Sequence, residues 1–240
     1  TGVEMIVSAS PDGKWLVLAG KKQQIELIDL KNHITLLLSV NEKSSIYDVQ
    51  FLPNSSGFIA LSSDKTVQKY DIKSKKIETI HSFAQSAEKI AIHPSGKFVA
   101  IGGKRGLLKL INLENKTVAK VYSASANRAI TALRFDPSTK HLFIGLSDGE
   151  ILLMESLNGS YSNTIKKRKA HGRQITDFDF FKMSDTEEDN YLAASSNDGT
   201  ATMWRLFKFD EELYEPLIFE DHKDWAMSAK FINDGRQLAI

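Results

Sequence analysis

Apolar residues recur along this chain in short runs with the spacing of β-strands. An apolar–x–x–apolar–x–apolar motif occupies Ile46–Phe51, Ile130–Phe135 and residues 175–180. A second apolar run follows each motif after a polar turn, for example at residues 58–61 and 142–146. No segment longer than ten residues has the 3.6-residue period of an amphipathic helix. The pattern therefore predicts an all-β chain with strands of about five to six residues.

The turn after each motif recurs at a nearly constant interval. Its proline position falls at residues 11, 53, 94, 137, 182 and 233, with intervals of 42, 41, 43, 45 and 51. The end of the third strand in each repeat keeps a similar period, at residues 28, 70, 111, 154 and 204. A tight polar turn precedes that strand, as at Asp148-Gly149 and Asp198-Gly199. A period near 42 that is filled with strands is typical of the blades of a β-propeller.

The fifth repeat resembles the WD-repeat β-propeller family. It has a histidine at its entrance, an aspartate in the tight turn and a tryptophan at the end of the third strand. The resemblance implies that His171, Ser196, Asp198 and Trp204 form a hydrogen-bonded tetrad that supports the blade and performs no chemistry. A buried network of this kind is stable only when every member has a partner. The other repeats keep parts of this pattern: Asp64, Asp148 and His222 remain, whereas Ile28, Tyr70, Ile111 and Met154 replace the tryptophan.

We therefore predict one WD-repeat propeller region over residues 1–240, all-β and built of four-stranded antiparallel blades. The predicted blades cover residues 1–40, 41–82, 83–123, 124–166 and 167–220, with a partial blade at 221–240. A propeller needs closure, because open end blades expose sheet edges and apolar faces. We therefore expect these five and a half blades to be a fragment of a longer chain, most simply of a seven-bladed ring.

The composition narrows the function classes. The chain has 31 basic and 30 acidic residues, so its charge of +1 does not predict binding to nucleic acid or to an anionic membrane. Only Tyr161 lies beside the main basic run for base stacking. The absence of cysteine excludes disulfides and thiolate metal sites and fits a reducing, cytoplasmic location. The six histidines lack metal-ligand spacing, and no catalytic serine elbow or phosphate-binding glycine loop is present. We predict no cofactor, no metal and no enzymatic activity.

A basic run is the first candidate for a partner-binding site. Lys166, Lys167 and Arg168 precede His171, and Arg173 follows it. By analogy with the family, we expect this run in the loop that enters the fifth blade, on the top face that also carries the tight aspartate turns. Other cations expected on this face are Arg128, Lys104 and Arg105. Such a patch suits an acidic protein or peptide, although a solvated loop is the alternative interpretation.

Further candidates come from the inner strands and one long loop. Trp225 is expected at the top mouth of the central channel, either as an exposed anchor for a partner or packed against a neighbouring loop. Asp48, Lys89 and Asp177 occupy inner-strand positions that we expect to face the channel. The acidic stretch 185–189 is expected to form a solvated loop on the bottom face, where the proline turns lie.

These features lead to one main hypothesis and two alternatives. We predict a non-catalytic interaction platform, a monomeric part of a larger protein or complex, that binds a protein or peptide through its top-face loops. The first alternative is a hydrolase or small-ligand propeller with polar groups that converge at the channel mouth. The second alternative is the C-terminal sensor propeller of a bacterial signalling ATPase, and a eukaryotic scaffold subunit fits the same motifs.

Overall fold

The computed structural model describes residues 5–20, 24–39, 44–123, 127–157, 160–182, 190–209, 211, 214–220 and 224–240. Two features predicted above, the acidic stretch 185–189 and His222, lie outside the described residues. The chain forms two compact units, Thr1–Val121 and Tyr122–Ile240, and each unit is described by itself.

The first unit contains three four-stranded antiparallel sheets within its described residues, each with its strands in chain order. Blade one consists of β1 (Met5–Ala9), β2 (Trp15–Gly20), β3 (Gln24–Asp29) and β4 (Ile34–Ser39). Blade two consists of β5 (Ile46–Phe51), β6 (Gly57–Ser62), β7 (Thr66–Asp71) and β8 (Lys76–Ser82). Blade three consists of β9 (Ala87–Ile92), β10 (Phe98–Gly103), β11 (Leu107–Asn112) and β12 (Val118–Ser123).

The second unit continues the same architecture over the part of it that the structure describes. Blade four consists of β13 (Ile130–Phe135), β14 (His141–Leu146), β15 (Glu150–Leu157) and β16 (Ser160–Lys169). Blade five consists of β17 (Ile175–Lys182), β18 (Asn190–Ser196), β19 (Ala201–Arg205) and β20 (Leu217–Phe219). A two-stranded sheet follows, made of β21 (Lys230–Ile232) and β22 (Gln237–Ala239).

The prediction of an all-β chain with four-stranded antiparallel blades is confirmed. One detail differs from the sequence-based division into repeats. Strand β16 continues to Lys169, so residues 167–169 lie in the fourth sheet and not at the start of the fifth repeat. Lys169 pairs in register with Glu150 at the start of β15, so β16 extends as far as the first residue of its neighbour.

The apolar core of each unit lies between neighbouring sheets. The second strand of blade two is buried along its whole length, because it is covered on both faces. In the first unit, Leu27 of blade one packs in one cluster with Phe58 of blade two. In the second unit, the rings of Phe143 and Phe178 meet edge to face at 6.3 Å and join blades four and five.

The tight turn between the second and third strands fixes the top end of each blade. Gly149 in blade four and Gly199 in blade five both have a φ of 86°, which a glycine adopts without strain. A Cβ at position 149 would lie 2.2 Å from the His171 carbonyl oxygen, so this position has no room for a side chain. The turn of blade four therefore holds the segment that leads into blade five.

Candidate functional site

A chain of hydrogen bonds crosses the interior of blade five. The Trp204 indole donates to Thr202 Oγ1 at 2.9 Å, and Thr202 Oγ1 lies 3.0 Å from His171 Nε2. His171 Nδ1 lies 2.9 Å from Thr200 Oγ1 and 3.3 Å from Asp198 Oδ2. Thr200 in turn donates its hydroxyl to Asp198 Oδ1 at 2.7 Å. His171 is only 5% exposed, so the network is closed to substrates.

The two ends of this network favour one direction of hydrogen bonding. The Trp204 N–H can only donate, and the Asp198 carboxylate can only accept. Because Asp198 lies 3.3 Å from Nδ1 of His171, we assign the imidazole proton to Nδ1, so that Thr202 accepts from Trp204 and donates to Nε2. The proton on Nδ1 then points toward Thr200 and Asp198. Each polar group has a partner, which is the condition for a stable buried network.

The electrostatics agree with a neutral histidine beside a charged aspartate. Burial lowers the pKa of His171 below its ordinary value, although the nearby Asp198 carboxylate opposes this shift. Burial alone would raise the pKa of Asp198. Hydrogen bonds from Thr200 and from the Gly172 amide, together with the proximity of His171, bring the Asp198 pKa below its ordinary value. The network therefore carries one negative charge at neutral pH.

Thr202 provides the hydroxyl that the sequence analysis assigned to Ser196. Ser196 Oγ instead donates to the Arg173 carbonyl at 3.2 Å and accepts from the Asp198 amide at 3.2 Å. The reason is geometric, because Ser196 is at the end of β18, whereas Thr202 lies in the middle of β19. The alternation of side chains along a strand could have identified Thr202 from the sequence. Thr202 is two residues before Trp204 and therefore faces the same side of the sheet.

The same network holds the entry to blade five in place. Asp198 Oδ2 accepts a hydrogen bond from the Gly172 amide at 2.7 Å, and Gln174 O accepts one from the Asn197 amide at 3.0 Å. The Arg173 carbonyl is bound by Ser196, as described above, while its side chain is exposed. The network thus presents Arg173 from a fixed backbone on the top surface of the blade.

The basic run lies in a strand and not in the predicted loop. Lys166, Lys167, Arg168 and Lys169 belong to β16, whose pairing with β15 determines their positions. Lys166 forms an ion pair with Glu155 at 2.8 Å. The location was wrong because the four charges interrupt the apolar alternation that marks the other strands, although all four residues pair with β15.

Arg168 has a structural role in this strand. Its guanidinium lies 5.4 Å from the Trp204 ring centroid and donates to the Tyr214 carbonyl. Lys169 donates to the Asp148 carbonyl. These contacts orient the two cations toward the protein without neutralising their charge.

The other predicted top-face cations are divided between the two units. In the second unit, Arg128 bonds to Asp148 at 2.7 Å and to Glu150 at 2.6 Å. The hydrogen bond with Asp148 and the contact with Glu150 raise the pKa of Arg128 above its ordinary value, against the effect of burial. In the first unit, Lys104 lies 3.5 Å from Glu88, and Arg105 has a left-handed backbone with φ of 56°. Ion pairing therefore reduces the cationic character that the sequence predicted for Arg128 and Lys104.

Trp225 is exposed on the segment that precedes β21. Its side chain is 58% exposed, and that of Met227 is 60% exposed. Between them, Ala226 is buried and donates its amide to the Ser196 carbonyl at 3.1 Å. The Ala226 carbonyl accepts from Thr176 Oγ1 at 2.6 Å. The segment is therefore attached to blade five by its backbone, while two large apolar side chains project outward.

The inner-strand carboxylates connect neighbouring sheets within each unit. In the first unit, Asp48 Oδ2 accepts a hydrogen bond from the Ile90 amide at 2.9 Å. In the second unit, Asp177 Oδ2 accepts from the Ser228 hydroxyl and from Lys230 Nζ, both at 2.7 Å. From the sequence we predicted only that these positions face the central channel. The structure shows structural links, which no pattern within one repeat could reveal because the partners belong to the next one.

No candidate metal site is found among the described residues. They contain no group of three or more histidine, aspartate or glutamate side chains that could hold a metal ion. A cavity of about 190 Å³ in the second unit is lined by Asp136, Lys140 and Phe180, among others. The Asp136 carboxylate in this cavity already binds the His141 ring and the Ser138 hydroxyl at 2.8 Å each. Among the same described residues, no helix is long and apolar enough to cross a membrane.

The repeated four-stranded blades and the histidine-to-tryptophan network define a WD-repeat β-propeller, as the sequence resemblance predicted. Comparison with known proteins agrees. A family model described as "Eukaryotic translation initiation factor eIF2A" matches residues 4–147, and the chain belongs to this family.

Two similar proteins carry names that bear on the class. One is "WD repeat-containing protein 89 homolog" of Dictyostelium discoideum, which is 28% identical over 143 residues. That match covers 59% of this chain and 39% of the relative. The other is "Pre-rRNA-processing protein IPI3" of Scheffersomyces stipitis, 28% identical over 109 residues, which is 45% of this chain and 19% of the relative. The matches thus span well under half the length of either relative.

Proposed function

We propose that this chain is a non-catalytic platform that binds a protein partner on the top surface of blade five. The docking surface consists of Trp225, Met227 and Arg173. The exposed pair Trp225 and Met227 carries this proposal, because large apolar side chains held outward by a fixed backbone are typical anchors of protein interfaces. Arg173 adds a cation beside this apolar pair, which suits a partner with an acidic rim.

The names of the relatives extend the proposal to the kind of partner. The family description concerns translation initiation, and one relative is named for pre-rRNA processing. By analogy, we propose an intracellular protein partner that takes part in one of these processes. The hydrolase alternative is less well supported, because the inner-strand carboxylates Asp48 and Asp177 already bind backbone or side-chain partners. None of the three descriptions names a signalling ATPase.

Affinity capture with two matched variants tests the docking surface. Trp225→Ala removes the proposed anchor, whereas Leu217→Ala removes a side chain that is 61% exposed on the outer strand β20. Captured proteins are quantified from an extract of the organism that encodes the chain. We expect Trp225→Ala to lower recovery of the specific partner by about tenfold, as for an interface hot spot. Leu217→Ala should leave recovery unchanged.

The same experiment has a clear contradictory result. If both variants recover the same proteins as the wild type, Trp225 is not an anchor and the docking surface lies elsewhere. A second variant, Arg173→Glu, tests the charged part of the docking surface. We expect a smaller loss of recovery with this variant, and one that shrinks as the salt concentration rises.

A further inference from the structure

The charge of this chain is divided unequally between its two units. Residues 1–121 contain 17 lysines and arginines against 11 acidic residues, which gives a formal charge of +6. Residues 122–240 contain 14 basic and 19 acidic residues, which gives −5. The overall charge of +1 therefore conceals a basic unit and an acidic unit. The first unit has one arginine, Arg105, and all its other cations are lysines.

An exposed turn of blade two carries three of these lysines. Lys73, Lys75 and Lys76 lie between β7 and the start of β8, and all three are exposed. No ion pair of these lysines occurs among the described residues. Asp71 is the one acidic residue of this turn; its Oδ1 accepts the Ser74 amide and hydroxyl at 2.7 Å each, and it pairs in register with Lys76. Three lysines against one aspartate leave the turn with a net charge of +2.

A fourth lysine from blade three lies on the same edge of the unit. Lys97 is exposed in the turn between β9 and β10 of blade three, directly after Gly96. Gly96 packs against Pro53 in the corresponding turn of blade two. The turn of blade two that contains Pro53 is joined to the three-lysine turn by a hydrogen bond from the Ile72 amide to the Ser56 carbonyl at 3.0 Å. Neighbouring turns thus bring all four lysines to the bottom edge of blades two and three.

The acidic residues at this edge only partly offset the lysines. Glu78 is paired with Lys116, so these two charges cancel. Glu114 is exposed in the next turn and, like Asp71, has no ion-pair partner among the described residues there. We call the four lysines, Lys73, Lys75, Lys76 and Lys97, the lysine face. Four lysines against Asp71 and Glu114 leave a net charge of +2 at this edge.

We propose that the lysine face docks an acidic segment of a partner protein. Lysine ammonium groups act as point charges for carboxylates and impose little geometry, which suits an extended segment rich in aspartate and glutamate. The four turns at this edge, residues 52–57, 71–76, 93–97 and 112–117, contain no arginine, phenylalanine, tyrosine or tryptophan. A nucleic-acid site is less well supported, because it would use arginine forks for phosphate and aromatic rings for base stacking.

This surface is independent of the docking surface on blade five. It belongs to the first unit, whereas Trp225, Met227 and Arg173 belong to the second unit. Loss of one should therefore leave the other intact.

Fluorescence anisotropy with a labelled decaglutamate peptide tests the proposal on the whole chain. The test variant combines Lys73→Glu, Lys75→Glu and Lys76→Glu. The matched control combines Lys167→Glu, Arg205→Glu and Arg236→Glu, which are exposed positions of the second unit with the same total change in charge. At about 0.1 M salt, where the Debye length is ~10 Å, only charges near the bound peptide contribute strongly.

The expected result is a loss of affinity of about tenfold in the test variant and less than about twofold in the control. Thermal melting checks that both variants remain folded. Equal weakening in both variants would contradict the proposal, since it would mean that only net charge matters. Absence of peptide binding to the wild type would also contradict it. An RNA strand of equal charge that binds more tightly than the peptide would assign the face to nucleic acid and reject the acidic segment.

Salt-sensitive self-association is the remaining alternative, because the second unit is acidic. Sedimentation of the wild type and of the triple lysine variant distinguishes it. We expect both to sediment as one species of the same size. A wild-type oligomer that dissociates in the variant would assign the lysine face to a second copy of the chain.

Discussion

Blade five and blade two differ at the same position near the end of the third strand, which is Trp204 in blade five and Tyr70 in blade two. In blade five, Trp204 is buried and begins a chain of hydrogen bonds that ends at Asp198. In blade two, Tyr70 is equally buried but stacks on Phe58 at a centroid distance of 5.1 Å, in an apolar cluster. Both side chains pair with a buried residue of the second strand. The position therefore requires a large apolar body, and the hydrogen bond is an additional feature of blade five.

The tight turns show which half of the network the two blades share. In blade two, Asp64 accepts from the Thr66 amide at 3.0 Å and from its hydroxyl at 2.6 Å. In blade five, Asp198 accepts from the Thr200 amide at 3.0 Å and from its hydroxyl at 2.7 Å. The aspartate turn thus forms without a histidine or a tryptophan. What blade five adds is His171, which connects the turn to the blade interior.

The largest loss of stability is expected at Trp204, where the chain of hydrogen bonds begins. Trp204→Phe removes the indole N–H, leaves space in the core and takes away part of the surface under Arg168. We expect the free energy of unfolding to fall by about 2–3 kcal/mol. Denaturant titration of the two proteins measures this difference. An unchanged midpoint would show that the network adds nothing to the stability of blade five.

A smaller loss is expected from removal of the bridging hydroxyl alone. Thr202→Val keeps the shape but leaves the Trp204 N–H and the His171 Nε2 atom without their partner. We expect a loss of about 1–2 kcal/mol, because unsatisfied buried polar groups carry a desolvation cost. The control Ser196→Ala should cost less. A larger loss from Ser196→Ala than from Thr202→Val would mean that Ser196 provides the bridging hydroxyl, as the sequence predicted.

The pH dependence of stability sharpens the comparison further. Burial lowers the pKa of His171 in the folded state. At a pH of ~6.5, the unperturbed pKa of histidine, the unfolded chain therefore binds more protons than the folded chain. The His171 contribution is therefore complete above that pH and is lost as the pH falls below it. We expect the melting temperature to fall less between pH 7.5 and 5.5 in His171→Gln than in the wild type. Equal falls would mean that other groups, such as His81 in blade two, cause the whole dependence.

The smallest effect is expected in blade two. Tyr70→Phe keeps the ring that stacks on Phe58, and the described residues show no hydrogen bond of the Tyr70 hydroxyl. We expect the free energy of unfolding to change by less than about 0.5 kcal/mol. Denaturant titration of Tyr70→Phe and Trp204→Phe under the same conditions compares the two losses of stability directly. A loss similar to that of Trp204→Phe would indicate a polar network in blade two as well.

Strand positions could be predicted from the sequence because each strand repeats an apolar pattern of its own. The pairing of β16 was missed because Lys166–Lys169 look like a solvated loop when their partners on β15 and in blade five are unknown. The role of Thr202 was missed because four hydroxyl residues lie near Asp198 in the sequence, and only the register of β18 and β19 distinguishes them. The four residues are Ser195, Ser196, Thr200 and Thr202. The exposure of Trp225 was left open for the same reason, since burial depends on neighbours that are distant in sequence.

The central claim is that the buried network supports the blade while Trp225 and its surroundings bind a partner. The most direct test measures the melting temperature and the partner capture of Trp204→Phe and of Trp225→Ala in parallel. Capture is measured at a temperature at which both variants are folded. We predict that Trp204→Phe lowers the melting temperature and still captures the partner. We predict that Trp225→Ala melts like the wild type and fails to capture it. The reverse pattern, with capture lost in folded Trp204→Phe and retained in Trp225→Ala, would contradict the account.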